Sequence, residues 1–327
     1  MQMFWRVTIS VLLAVGLFSQ QAALAHYPMK PVHIVVPYPA GGAVDAFARV
    51  LSQQLSEMWG QQVVVDNRPG ASTIIGTEQV TKSAPDGYTL LLTAELTLVT
   101  VPHLYEKIPY DPLRDFAPVI ALVFATQALV ANPSLPVKTV KDLIALAKEK
   151  PGQLTYGSFG NGSTGHLNIE VLQAMTGARF NHIPYNGAGP AMNDVIGGHI
   201  DFMLAALSIV KGNVQAGKLY MIGVGSEQRS PEFPGVPTIS ESGVPGYVAK
   251  SWFGLVAPAG TPPDIIKKIN LDVTKVISDS AFAEKYLVAQ ALEPILGTPE
   301  QFEAFIRAET VKWGKVVRSA NILKLSK

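Results

Sequence analysis

Cysteine is absent from the 327 residues, so the chain has no disulfides and no thiolate that could act as a nucleophile or metal ligand. Charged residues make up only 16% of the chain, and 26 Lys and Arg nearly balance 25 Asp and Glu. A balanced charge without basic clusters argues against nucleic-acid binding. Beyond residue 25, no apolar run approaches the roughly twenty residues that a membrane-spanning helix needs. We therefore expect stability to come from buried apolar surface, and we expect no nucleic-acid partner.

The first 25 residues have the features of a secretory signal peptide. Arg6 is their only charged residue, an apolar run covers 7–18, and residues 23–25 (Ala-Leu-Ala) have the small–x–small form of a cleavage site. The apolar run is too short to span a bilayer. We expect cleavage before His26 and a periplasmic location. The roughly 300 remaining residues are too many for one compact core and suit two domains.

A glycine-rich loop between a predicted strand and a predicted helix lies within residues 154–175. Its glycines let the backbone turn several amides toward one point, and the helix N-terminus adds unpaired N–H groups and the positive end of a dipole. Such a strand–loop–helix is suited to bind an anion. The loop residues that we expect to supply amide or side-chain donors are Ser158, Asn161, Gly162, Ser163 and Thr164.

A second loop of the same kind follows the predicted strand 32–36 and leads into a predicted helix over 43–59. Two donor loops on separate strand–helix units predict a clamp that closes on a small anion. The candidate ligand contacts in this second loop are Tyr38, Ala40, Gly41 and Gly42.

One polar side chain lies at the start of the helix that follows each loop. Asp45 could accept hydrogen bonds from unpaired amides as a cap, or it could fix the loop whose remaining amides face the ligand. His166 could donate to an anion, orient its loop or cap its helix. The residues alone leave these roles open.

Predicted strands and helices alternate along the chain, which is typical of α/β folds with sheets covered on both faces. They include a strand at 127–131 and helices at 140–149 and 302–317, which follow the capping pairs Thr139 with Asp142 and Thr298 with Gln301. Residues 26–125 and 251–327 form one predicted domain and residues 126–250 the other, so two crossings of the chain would form a hinge. The predicted fold class is two doubly wound α/β domains joined by that hinge. Ligands of such sheets lie beyond the carboxyl ends of the strands. The residues that we expect to shape the far end of the site are Glu95, Thr97, Tyr185, Asn186 and Ala206.

Motifs for cofactor binding and catalysis are absent or incomplete. Gly160, Gly162 and Gly165 have the spacing of a dinucleotide-binding loop, but no carboxylate ends the next predicted strand. No Lys precedes Ser163 as a phosphate-binding loop requires, no G-x-S-x-G motif is present, and no two His have i, i+4 spacing. We expect no cofactor, no metal and no catalytic residue. Two alternatives stay open: a ligand-sensing subunit of a membrane kinase, and a secreted α/β enzyme that uses His166 with Ser163 or Asp45.

A series of different short motifs covers nearly the whole chain after residue 26. They include PYPAGG at 37–42, DNRPGA at 66–71, PDGYTL at 85–90, PYDP at 109–112, GSFGNGS at 157–163, PTISESG at 237–243, SWFG at 251–254 and APAGTP at 257–262. With these motifs the chain resembles the tripartite tricarboxylate transporter substrate-binding family, also called the Bug receptors.

The resemblance implies a type II periplasmic binding protein fold. It also implies that the loops at 38–42 and 158–166 hold a ligand carboxylate through backbone amides and ordered water, and that the ligand passes to a membrane permease. We therefore expect a monomeric, non-enzymatic receptor for a small mono- or dicarboxylate.

The sequence departs from the family pattern at four places. Val44 replaces a small hydroxyl residue, residues 72–74 (Ser-Thr-Ile) replace a glycine-rich run, Val101 replaces Asn, and Phe159 replaces a small residue. Fewer polar groups and an additional ring favour a ligand with an apolar or aromatic body.

Overall fold

The computed structural model describes residues 27–319. The predicted signal peptide over 1–25 and the expected first mature residue, His26, lie outside that range. Residues 320–327, at the end of the first predicted domain, also lie outside it. Within residues 27–319, no helix is both long and apolar enough to cross a bilayer.

The described chain alternates strands with helices, as the sequence predicts. The strands are β1 (Val32–Val36), β2 (Val63–Asn67), β3 (Thr89–Ala94), β4 (Phe116–Ala131), β5 (Thr155–Ser158), β6 (Asn181–Pro184), β7 (Phe202–Ala206), β8 (Tyr220–Val224), β9 (Lys250–Pro258) and β10 (Leu292–Pro294). The helices are α1 (Ala43–Trp59), α2 (Ile74–Thr81), α3 (Val101–Leu104), α4 (Val140–Glu149), α5 (Thr164–Thr176), α6 (Ala188–Gly197), α7 (Leu207–Gln215), α8 (Pro263–Ser278), α9 (Ser280–Phe282) and α10 (Pro299–Ser319). A wide helical turn, Leu96–Thr100, precedes α3, and two further turns, Ala283–Leu287 and Val288–Gln290, follow α9.

The strands form one continuous sheet. Within it, two groups of strands have an equivalent spatial order. The first strand group runs β2-β1-β3-β9-β4, and the second runs β6-β5-β7-β4-β8. Strands β1, β2 and β3 are parallel to one another, as are β5, β6 and β7. Strand β9 is antiparallel to β3 and β4, and β4 is antiparallel to β7 and β8. The sheet is therefore mixed, because one strand in each group enters from the opposite group.

Strand β4 belongs to both groups. Its residues 116–126 pair with β9, and its residues 127–131 pair with β7 and β8. The sequence predicts only the part at 127–131. The preceding residues are also extended and mostly buried, and their side chains belong to two separate apolar clusters. The chain thus passes from the first group to the second along β4 and returns along β9.

Helix α1 shows how the amphipathic pattern covers the sheet. Its buried side chains recur every three or four residues, and the helix ends at Gly60, which has the left-handed conformation that suits glycine. The predicted bounds of this helix and of α4 are confirmed. The buried residues of α1 are Val44, Asp45, Phe47, Ala48, Leu51, Ser52 and Leu55.

The contact between β9 and α10 leaves no room for a side chain at Gly254. A Cβ at this position would lie 2.3 Å from Cζ of Phe302, whose ring is buried. We expect Gly254→Ala to lower the free energy of unfolding by about 1–3 kcal/mol, because the buried ring would have to move. Urea unfolding of the whole protein measures this change.

Gly212→Ala is the matched control. Gly212 lies on α7, and a Cβ there would meet nothing within 4 Å. Alanine should raise the free energy of unfolding by about 0.5–1 kcal/mol, since it restricts the unfolded chain. Equal effects of the two substitutions would contradict the proposed packing.

Candidate functional site

A cavity of about 650 Å³ lies between the two strand groups. Its walls are the end of β3 and the loops that follow β1, β2, β5, β6 and β7, and Gln127, Ser251 and Phe253 contribute from β4 and β9. The cavity therefore lies beyond the carboxyl ends of the parallel strands, where the sequence places the site. Its volume is within the range of small-molecule sites in proteins.

Sixteen residues are predicted from the sequence to contact the ligand. Eight of them line this cavity and eight do not. The residues in the wall are Tyr38, Ala40, Gly41, Gly42, Thr164, Tyr185, Asn186 and Ala206. The residues outside the wall are Asp45, Glu95, Thr97, Ser158, Asn161, Gly162, Ser163 and His166. A ligand-binding role for any of them stays a prediction.

Among the described residues that line the cavity, none carries a formal charge. Large parts of the wall are apolar or aromatic, including Phe159, Tyr185 and Phe253. An anion bound here would therefore be held by neutral donors, which means backbone amides, hydroxyls and side-chain amides.

Helix N-termini supply such donors. Helices α1, α5, α6 and α7 all begin at the cavity wall, with Gly42, Thr164, Gly187 and Ala206 at or beside their first residues. None of these four helices has a side-chain cap. The first-turn amides of a helix lack acceptors within the helix, and the helix dipole makes this end positive. Four positive helix ends thus meet at one cavity.

Helix α2 also begins at the cavity, but it leaves fewer amides free. Its N-cap residue, Thr73, makes no side-chain cap, while the amides of Ile74 and Ile75 donate to the carbonyls of Ala71 and Gly70. Ala71, Ser72 and Thr73 all have positive φ, at 46°, 50° and 79°. This conformation is strained for residues with a side chain, above all for a β-branched threonine. The strained turn forms part of the cavity wall.

Two helices that begin elsewhere are capped in the way that the sequence predicts. Thr139 and Asp142 form a reciprocal capping box at α4. Thr298 and Gln301 exchange the equivalent hydrogen bonds, of 2.8 and 3.3 Å, at α10. These two helices have the side-chain caps that the helices beginning at the cavity lack.

The loops before α1 and α5 are each supported by a hydrogen bond of the same kind. The amide of Gly41 donates to the carboxylate of Asp45 (2.8 Å), and the amide of Gly162 donates to Nδ1 of His166 (2.9 Å). Both glycines have positive φ, and both acceptors lie at the third residue of the helix. Asp45 and His166 thus orient their loops. The amides of Gly41 and Gly162, which we expected to face the ligand, already have acceptors, so the first helical turns keep the free ones.

Asp45 is held by several donors. Besides Gly41, it accepts hydrogen bonds from Arg49 (3.1 Å) and Asn67 (2.9 Å). Burial alone would raise the pKa of Asp45, but the hydrogen bonds from Arg49, Gly41 and Asn67 hold it below its ordinary value. A charged Asp45 keeps the loop in place at neutral pH.

His166 lies in a buried stack of rings. Its ring centroid is 3.9 Å from that of His182, which is in turn 4.9 Å from that of Tyr156. Burial, followed by the neighbouring His182, lowers the pKa of His166 to about 3, and burial lowers that of His182 to about 4. Both imidazoles are therefore neutral at pH 7, which lets Nδ1 of His166 accept the Gly162 amide. His182 Nε2 lies 2.7 Å from the hydroxyl of Ser158.

The pairs named for the enzyme alternative, His166 with Ser163 or with Asp45, are not formed in the described chain. Ser163 Oγ is buried without a hydrogen-bond partner, and His166 is occupied by Gly162. Asp45 bonds to its own strand group. Residues 27–319 also contain no cluster of three potential metal ligands.

Sequence reasoning missed several polar residues of the wall. Gln127 and Ser251 interrupt apolar strands and bond to each other across β4 and β9 (3.2 Å), and their polarity within apolar runs is the signal that could have identified them. Thr73 accepts from Thr97 (3.0 Å), which also contacts the hydroxyl of Tyr38 (3.1 Å). Thr97 therefore supports the wall from behind.

Glu95 occupies a position that the sequence does not reveal. Its carboxylate is buried outside the wall and accepts hydrogen bonds from the hydroxyl of Thr164 and from the amide of Trp252 (3.2 Å). Burial raises the pKa of Glu95 to about 7. Arg68, in the loop after β2, forms an ion pair with Asp66 (2.9 Å) and is not among the residues that line the cavity.

The sequence of this chain matches a known family of receptors. Residues 47–322 match the profile of the tripartite tricarboxylate transporter family receptor. Protein BugT of Bordetella pertussis is 39% identical over 315 residues, covering 94% of this chain and 96% of BugT.

Solved structures confirm the predicted fold class. The R. palustris protein Rpa4515 with adipate has a TM-score of 0.88 and 36% identity, covering 91% of this chain and 100% of that one. The periplasmic binding protein BugD gives 0.84 and 31%, with coverages of 92% and 100%. MatC from Rhodopseudomonas palustris with bound malate gives 0.81 and 27%, with coverages of 89% and 100%.

The stacked histidines make acid stability testable. Their folded-state pKa values lie below the ordinary value of about 6.5, so the unfolded chain takes up protons first as the pH falls. Stability should be unaffected by these groups well above pH 6.5 and should fall below it. Between pH 7.5 and 5.5 we expect a loss of about 1.4 kcal/mol from His166, and a smaller loss from the partly exposed His182.

His166→Asn isolates this contribution, because an amide oxygen can still accept the Gly162 amide. The variant should lose about 1.4 kcal/mol less than the natural protein between pH 7.5 and 5.5 in urea unfolding. His33→Asn, at an exposed position on β1, is the control and should leave the pH dependence unchanged. An identical loss in the natural protein and in His166→Asn would contradict the assignment.

Proposed function

Since this chain belongs to the tripartite tricarboxylate transporter receptor family, whose members are periplasmic solute-binding receptors and not enzymes, we propose that it binds a small carboxylate between its strand groups and delivers it to a membrane permease. The two groups would be its domains, formed by residues 26–125 with 251–327 and by residues 126–250. Strands β4 and β9 would then be the hinge. In the family's solved structures, adipate and malate are bound to related proteins.

The observation that carries this proposal is the meeting of four uncapped helix N-termini at a cavity without charged side chains. A partly buried helix N-terminus stabilises an anion by up to about 2 kcal/mol, and a hydrogen bond to a charged group by about 1.5–3 kcal/mol. A few such contacts reach the roughly 8 kcal/mol that corresponds to micromolar affinity. A carboxylate therefore needs no arginine in this site.

The rest of the wall favours a ligand with an apolar or aromatic body. Phe159, Tyr185, Phe253 and Met192 face the same space as the helix ends. Phe159 is also one of the positions at which the sequence departs from the family pattern. A preference for citrate or a polar amino acid over benzoate-type acids would contradict this part of the proposal.

Thermal unfolding of the chain from His26 tests the ligand class directly. The panel is adipate, malate, citrate, benzoate and 4-hydroxybenzoate, with phosphate and NAD as controls. A carboxylate at one hundred times its dissociation constant adds about 2.7 kcal/mol, which should raise the midpoint by several degrees. A shift with NAD and with none of the carboxylates would contradict the proposal.

Gly42 offers a charge-specific test of the helix ends. As the N-cap residue of α1 it has φ −78° and ψ 169°, and a Cβ there would come no closer than 3.7 Å to Pro39 O, so other residues fit without strain. Gly42→Asp would cap α1 and place a carboxylate at the cavity. We expect normal stability but at least hundredfold weaker carboxylate binding, because two like charges about 4 Å apart near a protein surface repel each other by about 4 kcal/mol.

Gly42→Asn is the matched control, since it supplies the same cap without the charge. It should bind the carboxylate within about tenfold of the natural protein. Equal affinities of the Asp and Asn variants, measured by calorimetry, would show that α1 does not face the anion.

A further inference from the structure

Glu95 is separated from the cavity by a single hydroxyl group. It lies just after β3, is only 2% exposed, and accepts hydrogen bonds from Trp252 of β9 and from Thr164, the first residue of α5. Thr164 is itself part of the cavity wall. The carboxyl group of Glu95, in one strand group, thus bonds to the hydroxyl of Thr164 in the other. Thr164 lies at the N-terminus of α5, which faces the proposed ligand.

The charge of Glu95 decides where the hydroxyl proton of Thr164 points. An ionised carboxylate can only accept, so Thr164 must direct its one proton to Glu95 and present lone pairs to the cavity. Those lone pairs repel a carboxylate. A protonated Glu95 can instead donate its O–H to Thr164 Oγ1, and the threonine proton then becomes free to turn toward the cavity.

We propose that Glu95 takes up one proton when the receptor binds a carboxylate, so that Thr164 can donate its hydroxyl to the ligand. This inference rests on the proposed function. The proton comes from solvent and adds to one Glu95 oxygen, and no other bond is formed or broken. The ligand's negative charge thereby replaces that of Glu95, so that the buried charge near α5 does not increase.

The surroundings of Glu95 favour this exchange. Burial is the main cause that brings its pKa to about 7, and the charge of Glu309 on α10 raises it further. Tyr38 of the β1–α1 loop bonds to Thr97, and His103 of α3 bonds to the carbonyl of Thr310. On α5, His166 is neutral and occupied by Gly162. No lysine or arginine is among the groups that act on Glu95 within the described chain.

Calorimetry measures the proton directly. The probe is whichever of adipate, malate, citrate, benzoate and 4-hydroxybenzoate binds most tightly, titrated at pH 7.5 in phosphate and in Tris. These buffers differ in ionisation enthalpy, so proton uptake makes the observed heat depend on the buffer. We expect uptake of up to one proton per ligand, and affinity about tenfold weaker at pH 8 than at pH 6.

Substitutions separate this role from a merely structural one. Glu95→Gln can donate to Thr164 at every pH, so its affinity should stay near the pH 6 value from pH 6 to 8 without proton uptake. Glu170→Gln changes another partly buried carboxyl with a raised pKa, which bonds to Tyr156 and Gln173 away from the wall, and should keep the natural pH dependence.

Thr164 provides an independent pair of variants. Thr164→Val removes the hydroxyl and should abolish proton uptake and weaken binding, whereas Thr164→Ser should retain both. Binding without buffer-dependent heat, and with equal affinity at pH 6 and 8, would overturn the role of Glu95 while leaving the proposed function intact. No binding of any probe at pH 6 would overturn both.

Discussion

Unpaired amides at the cavity are the constraint on which the rest of this structure depends. A helix end without a cap leaves N–H groups that must find water or a ligand, because burying them unpaired is unfavourable. Four such ends lie at one place, whereas α4 and α10 begin elsewhere with reciprocal side-chain caps. The lack of charged residues in the wall follows the same logic: an arginine would bring its own charge, and a carboxylate would occupy the amides. The backbone of the cavity wall supplies the polar donors, whereas its side chains are mostly apolar.

The two principal loops reach the same geometry with different chemistry. In each, the third helical residue accepts the amide of a glycine with positive φ, but one acceptor is a carboxylate and the other a neutral imidazole. Asp45 is stabilised by a cation, Arg49, whereas His166 depends on remaining uncharged among stacked rings. Acid therefore weakens the supporting hydrogen bond in both loops. It protonates an imidazole in the second loop and a carboxylate in the first, and the pKa of each group lies below its ordinary value.

Local features of the fold could be predicted from the sequence. The bounds of α1, the capping pairs at Thr139 and Thr298, and the two strand–loop–helix units all depend on residues close together in the chain. The length of β4 could not, because its first part is defined by pairing with β9, more than a hundred residues away. Helix α7 is not predicted from the sequence, because Ser208, Gly212 and Asn213 weaken its apolar pattern. The bond between Glu95 and Thr164 joins different strand groups, so no spacing rule could identify it.

Strand β4 has a mechanical consequence. It runs unbroken through both strand groups, its pairing with β9 and β8 shifts register at several points, and β9 accompanies it in the opposite direction. Register shifts of this kind increase local twist. Any rotation of one group against the other must therefore twist two hydrogen-bonded strands along their length. If the two groups are domains that rotate against each other, this pair of strands would store elastic energy when twisted and would favour one relative angle of the groups.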